Sequence, residues 1–228
     1  MIVPEVDEKT WLQSLTQLPS WMPPLTTTVV IAPHPDDETL GAGGLIASLR
    51  EAGCEVIVIA VTDGENCYAG EDLRSVRPGE QEAALGRLGV PPSCIHRLHL
   101  PDSGLHTCEE SLRASLRTLI PAGSHVISPW EHDFHPDHEV CGRAAKIVAE
   151  EKGLQRTSYF FWTWHRGTPQ LLQKVHPVRF AMDAAQQLAK REALACHTSQ
   201  LVHESGEPIL PPDLLEPAWR DFEVFLPA

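Results

Sequence analysis

Short apolar runs bounded by glycine, proline and acidic residues recur along this chain, separated by polar stretches with helical spacing. Thr28-Val29-Val30-Ile31 is a β-branched run that reads as a buried strand, with the first core strand spanning Thr27 to Pro33. Gly41-Ala42-Gly43-Gly44 then leads into Leu45–Glu51, a helix stopped by Gly53. Glu55 to Thr62 is an uninterrupted apolar run, the pattern of a parallel strand covered on both faces. Strand, helix and strand in that order make a right-handed βαβ unit. Further on, the pattern predicts helices over Arg77–Leu88, Ser111–Leu119, Glu139–Lys152 and Ala181–His197. It predicts strands over Ile95–Leu100 and His125–Ser128, and an aromatic strand over Thr157–Trp164. The alternation gives an α/β chain, a Rossmann-like three-layer sandwich with a mostly parallel sheet in a single domain. Residues 1–26 read as a lead-in with a short helix that packs on the domain, 27–202 as the domain itself, and 203–228 as a Pro-rich tail draped over its surface.

Length and composition narrow this picture only slightly. With 228 residues, one sizeable core is the default. A net charge of −13 argues against a nucleic-acid surface, which needs clustered Lys and Arg. No secretory leader and no apolar run of about 18 residues or more is present, so neither export nor a membrane span is expected. The six cysteines form no C-x-x-C pair and read as reduced thiols of a cytoplasmic protein. Aromatic residues near 160–164 could form an interface between copies of the chain, so a homo-oligomer is open.

The chemistry begins where the first strand ends. His34-Pro35-Asp36-Asp37-Glu38 places one imidazole and three carboxylates in five positions, at the edge where open α/β sheets carry their sites. Adjacent carboxylates repel unless a cation or a shared proton relieves them. His with Asp suits zinc, and ferrous iron equally. His135 and His138, spaced i, i+3 across Pro136 and Asp137, follow a different strand, His125–Ser128. In a parallel sheet both strand ends open on one edge, so the two loops can converge into a His/Asp/His set with open positions.

Ala-x-His-Pro-Asp-Asp-Glu, followed about a hundred residues later by His-Pro-Asp-His, resembles the PIG-L/LmbE family of metal-dependent N-deacetylases. Three weaker elements extend the likeness over roughly residues 27 to 202: Arg77-Pro78-Gly79-Glu80, Leu100-Pro101-Asp102-Ser103-Gly104, and His197-Thr198-Ser199-Gln200. The resemblance implies that His34, Asp37 and His138 bind a divalent metal. It makes Asp36 the general base, and gives His135 the task of stabilising the oxyanion or protonating the leaving amine. It sets Glu65, Arg77 and Asp102 around the hydroxyls of a small-molecule substrate, an N-acetylated amino sugar or a glycoside of one. A related amidase for a larger acyl or peptide-like amide is the alternative, because pocket shape decides acyl size. A non-catalytic metal module is disfavoured, since metal binding alone does not need Asp36. A nucleotide site is disfavoured because Gly41–Gly44 lacks both G-x-G-x-x-G and a P-loop Lys.

Several of these residues have plainer readings. Glu38 reads equally as a carboxylate that orients a ligand and as an N-cap or solvated one. Arg77 and Glu80 have ion-pair spacing on a helix. Asp102 could shape a turn, His197 could meet a helix end, and His132 and Asp133 could be loop residues. Trp130, Trp162 and Trp164 could wall a sugar site, although burial is their commoner fate.

Overall fold

Strands that are apolar throughout need cover on both faces, and helices supply it here. The computed structural model describes residues 3–203 and 206–228. Its seven strands are β1 (Thr28–Ala32), β2 (Val56–Thr62), β3 (Ile95–Leu100), β4 (His125–Pro129), β5 (Gln155–Tyr159), β6 (Val178–Ala181) and β7 (Phe222–Pro227). They form one sheet in the order β3-β2-β1-β4-β5-β7-β6. The first five are parallel, and β7 runs antiparallel to both β5 and β6.

The helices are α1 (Glu8–Leu15), α2 (Asp37–Glu51), α3 (Arg77–Arg87), α4 (Glu109–Leu119), α5 (Pro136–Lys152), α6 (Trp162–Arg166), α7 (Pro169–Leu172), α8 (Ala184–Leu194), α9 (Thr198–Leu201) and α10 (Pro212–Leu215). One face of the sheet packs against Leu45, Ile46 and Leu49 of α2, Leu85 of α3 and Ala193 of α8. The other packs against Leu112 and Leu116 of α4 and Val140, Ala144 and Val148 of α5. Three layers around a mostly parallel sheet are therefore what the hydrophobic pattern calls for. Chain order runs outward in both directions from the β1/β4 pair, so the crevice at their carboxyl ends is the switch point of the sheet.

Helix α1 lies against α6. The Trp11 ring is buried edge-on against Trp164, and its Nε1–H donates to the Trp164 carbonyl at 2.8 Å.

Three local expectations are corrected. The second helix starts at Asp37 rather than at Leu45, and it breaks at Ala42 (φ −144°, ψ 16°). The aromatic strand stops at Tyr159, because the Asp133 carboxylate collects the N–H groups of Phe161, Trp162 and Thr163 and starts α6 there. Of its aromatic residues, Phe160, Phe161 and Trp164 are buried and Trp162 is half-buried. The helix expected from Ala181 begins at Ala184, behind an Asp183/Gln186 capping box, and β6 precedes it.

The largest departure is the tail. Residues 222–227 do not drape over the surface; they enter the sheet between β5 and β6. The β7 residue Glu223 is buried, and its carboxylate accepts the Gly44 and Leu45 N–H groups at 2.8 and 2.9 Å, donors left free by the break in α2. Lys190 of α8 neutralises that carboxylate at 2.7 Å and also donates to the Leu40 carbonyl at 3.0 Å.

Candidate metal centre

The loops after β1 and β4 lie side by side, and this brings residues about a hundred positions apart into contact. Ligand atoms of His34, Asp37 and His138 all lie within 4.8 Å of one another. Asp37 is the first residue of α2; its Oδ2 accepts the His34 N–H at 2.9 Å and sits 3.0 Å from His34 Nδ1. His138 enters from the first turn of α5, with Nε2 3.2 Å from Asp37 Oδ1. Phe134, just before this helix, takes φ 57°, a left-handed conformation that costs a non-glycine residue about 1–3 kcal/mol.

A second cluster, His34/His135/Asp137, shares His34. Its other atoms are already committed. Asp137 accepts the N–H groups of Ser103 and Leu105, at 2.7 and 3.3 Å, and His135 Nδ1 accepts the Asp137 N–H at 3.3 Å. His138 is different. Its Nδ1 lies 2.9 Å from Asp133 Oδ2, which fixes the ring proton on Nδ1. Its Nε2 is buried and has no hydrogen-bond partner among the described residues. An aimed imidazole lone pair beside a buried carboxylate and a second imidazole fits a divalent metal of the zinc or ferrous class. Burial works against charge on His34, yet its hydrogen bonds to the Asp102, Asp137 and Asp37 carboxylates hold its pKa well above the usual value. So much negative charge in one place is relieved by a cation.

Asp36 caps α2 from the adjacent position. Arg77 Nη2 donates to its Oδ2 at 2.9 Å, with both side chains buried. Burial pushes the Asp36 carboxyl up, and the Arg77 charge opposes that rise. Arg77 also donates to the Gly64 carbonyl at 2.9 Å. The helix-face ion pair with Glu80 does not form; Glu80 instead accepts the Ser199 N–H and O–H at 2.7 and 2.6 Å.

Glu38 neither orients a ligand nor meets solvent. It is buried beside Gln81, whose Nε2 donates to it at 2.9 Å, and burial pushes it up to about 8. His135 stacks on Trp162 with ring centroids 5.5 Å apart and 17° between planes. Burial, the largest influence, brings it down to about 3, which favours the neutral ring, and the N–H that Nδ1 accepts puts the ring proton on Nε2.

His34, Asp36, Asp37 and His135 line a cavity of about 260 Å³. Its lining is completed by polar side chains, among them Arg77, Asn66, Asp102, Ser103 and Gln200, and by the apolar Phe161, Trp162, Ile209 and Leu210. Asp102 sits on the wall, its Oδ1 3.4 Å from His34 Nε2 and its Oδ2 accepting the Asn66 N–H at 2.9 Å. Glu65 does not reach this cavity; it turns under the next loop, where it accepts the Asp102 N–H at 3.2 Å. Trp130 and Trp164 belong to the core, and Trp162 alone of the three tryptophans reaches the cavity. His132 is exposed and His197 is buried behind the wall.

Two residues with evident roles had no assigned task in the sequence. Asp133, the buried partner of His138, announces itself only as a carboxylate five positions before that histidine. Gln200 lies in the weakest of the motifs.

A doubly wound sheet with a His/Asp cluster that could hold a metal at its switch point defines an α/β protein whose site lies in the crevice at the carboxyl ends of its strands. A family profile described as PIG-L, GlcNAc-PI de-N-acetylase, matches residues 29–149, and the chain belongs to that family. It is 33% identical over 122 residues to the diacetylchitobiose deacetylase of Thermococcus kodakarensis, covering 49% of this chain and 45% of that one. It is 29% identical over 254 aligned positions to the 1D-myo-inositol 2-acetamido-2-deoxy-alpha-D-glucopyranoside deacetylase of Rhodococcus jostii, covering 83% and 87%. Among solved structures, the N,N'-diacetylchitobiose deacetylase from Pyrococcus horikoshii has the same fold: TM-score 0.65, 24% identity, 89% of this chain and 83% of that one. The chain spans about half the length of the first curated relatives it matches. No helix among the described residues is long and apolar enough to cross a membrane.

Proposed function

We propose that this protein is a zinc-dependent hydrolase that removes the N-acetyl group from an N-acetylated amino sugar or a glycoside of one. The observation that carries this reading is the convergence of His34, Asp37 and His138, with Asp36 beside them, at a cavity that His34, Asp36 and Asp37 line. The names of the relatives, all deacetylases of acetamido sugars, support the substrate class.

His34, Asp37 and His138 would hold the metal, and ferrous iron suits the same donors. When bound, the metal polarises the amide carbonyl and brings the pKa of a water into the neutral range. The chain's own residues do the rest. Arg77 occupies Asp36 Oδ2, leaving Oδ1 to accept the proton of the attacking water. The Nε2–H of His135 donates to the oxygen that becomes negative in the tetrahedral intermediate. A neutral His135 has no spare proton, so the one taken by Asp36 passes to the departing amine, and acetate and free amine leave. Trp162 holds the His135 ring in plane for that contact. Six free thiols accord with a reducing, cytosolic setting.

Elemental analysis of the purified protein, coupled to a fluorescamine screen for amine release across N-acetylated sugars, tests the reading. Zinc or iron near one per chain and release from at least one sugar are expected. Asp36→Ala should keep the metal and lose hydrolysis, and His138→Ala should lose both. Amine release from none of the sugars moves the assignment to an amidase for larger acyl groups, and full metal occupancy in His138→Ala removes that residue from the ligand set.

A further inference from the structure

Gln200 is fully buried, yet it lines the cavity, and its side-chain oxygen has no hydrogen-bond partner among the described residues. A buried, unsatisfied carbonyl oxygen costs about 1–3 kcal/mol, and such groups call for an explanation.

The orientation of this amide is not arbitrary. Glu80 presents acceptor oxygens, and the single hydroxyl proton of Ser199 is committed to one of them at 2.6 Å. Ser199 Oγ can then only accept, and it does so from Gln200 Nε2 at 2.9 Å. The other face of that nitrogen meets Cys67 Sγ at 3.7 Å. Tyr68 fixes the same turn from outside: its O–H donates to the Ser199 carbonyl, and its oxygen accepts the Ile209 N–H, each at 3.0 Å. The proton order running from Glu80 through Ser199 to Gln200 therefore uses both amide hydrogens and leaves the oxygen, on a residue that lines the cavity, without a donor. Arg77 and Asp102 Oδ2, by contrast, are tied up in protein contacts.

We propose that Gln200 is a substrate-recognition residue: its side-chain oxygen accepts a hydrogen bond from an O–H or N–H of the bound sugar, with Glu80 and Ser199 fixing its orientation. This rests on the deacetylase reading above and adds to it a demand for a donor at one position of the substrate. Sites of this kind discriminate strongly against an analogue that lacks the donor, because the acceptor is then left unpaired.

The test uses the full-length, metal-loaded protein and Gln200→Met, which keeps the volume and removes the polar atoms. The probes are the N-acetylated sugar glycoside that the wild type hydrolyses, its deoxy analogues at each free hydroxyl in turn, and its N-methylacetamido analogue. For the parent glycoside kcat/KM should fall about 10- to 100-fold, mostly through KM, with zinc affinity unchanged. The penalty should disappear for one analogue, which identifies the donor: a deoxy position for an O–H, the N-methyl compound for the amide N–H. Ser199→Ala leaves Gln200 in place but frees its amide to turn. It should show a smaller loss with the same analogue dependence, and it carries the test if Gln200→Met does not fold. No loss, or an equal loss across every analogue, overturns the proposal. Failure of the wild type on every N-acetylated sugar is read before either variant is made; it refutes the deacetylase reading and this inference with it.

Discussion

Asp133→Asn separates a positioning carboxylate from a merely structural one. The wild-type side chain is fully buried and serves five donors: the N–H groups of Phe161, Trp162 and Thr163, the Thr163 hydroxyl and His138 Nδ1. Asparagine offers one acceptor oxygen, so in either orientation of the amide about two donors face an NH2 group. At about 1–3 kcal/mol for each buried unsatisfied group, the variant should lose roughly 2–6 kcal/mol. For a chain of this size that is a fall in Tm of roughly 5–20 °C. The second effect is specific. With the amide nitrogen in the Oδ2 place, His138 can no longer donate from Nδ1, and its proton moves to Nε2, the atom that points at Asp37. Zinc affinity should then drop about 10- to 100-fold, the usual range for loss of a carboxylate behind a metal-bound histidine. Thermal melts read the first effect, and competition for zinc against a chromogenic chelator reads the second. Wild-type zinc affinity in a destabilised Asp133→Asn would refute the tautomer argument and leave Asp133 as scaffold only.

Other outcomes follow from the same contacts. Arg77→Met removes the cation 2.9 Å from Asp36, so kcat should fall about tenfold or more with zinc retained; a rise in KM at constant kcat would return Arg77 to a substrate-binding role. Lys190→Met leaves the buried Glu223 carboxylate without its cation and should cost about 3–5 kcal/mol in urea unfolding, partly restored by Glu223→Gln in the same chain; additive losses would show that the pair is not coupled. Burial lowers His125, His165 and His197 from 6.5 to about 4 each, with Arg220 and Arg166 adding to the effect at His165, and Arg77 at His197. Because these folded values are depressed, the unfolded chain binds more protons between pH 6.5 and 4. The stabilisation they confer is complete above about pH 6.5 and lost as pH falls toward 4, so Tm should decline through that window; a Tm flat from pH 7 to 4.5 contradicts their burial as neutral rings.

Much of this molecule was legible because its signals are local. Val29–Ala32 and Val56–Thr62 are continuous apolar runs that suit only a covered parallel strand, and the His34–Glu38 and His135–His138 segments sit directly after strands. What escaped depends on long-range contacts. Phe160 to Trp164 has strand-like composition, and only the Asp133 carboxylate, about thirty residues away, turns it into a helix. The run Phe222-Glu223-Val224-Phe225 follows a proline-rich stretch that masks it, and its place in the sheet is set by β5 and β6 rather than by its neighbours. Arg77 and Glu80 have the spacing of an ion pair on a helix, but tertiary partners with better geometry claimed both.

The break in α2 ties the timing of site formation to the order of synthesis. The helix that carries Asp37 has two bare N–H groups at Gly44 and Leu45, and their acceptor lies 178 residues beyond Leu45. Chains grow from the N-terminus at about 5–20 residues per second, so the second half of α2 waits roughly ten seconds or more for Glu223 to exist. Once made, β5 also lacks its antiparallel neighbour until β7 emerges and offers an open edge, which invites pairing with another chain. A nascent chain stalled before residue 222 should thus carry every candidate metal ligand and still hold α2 unsecured, making it a substrate for chaperones rather than for zinc.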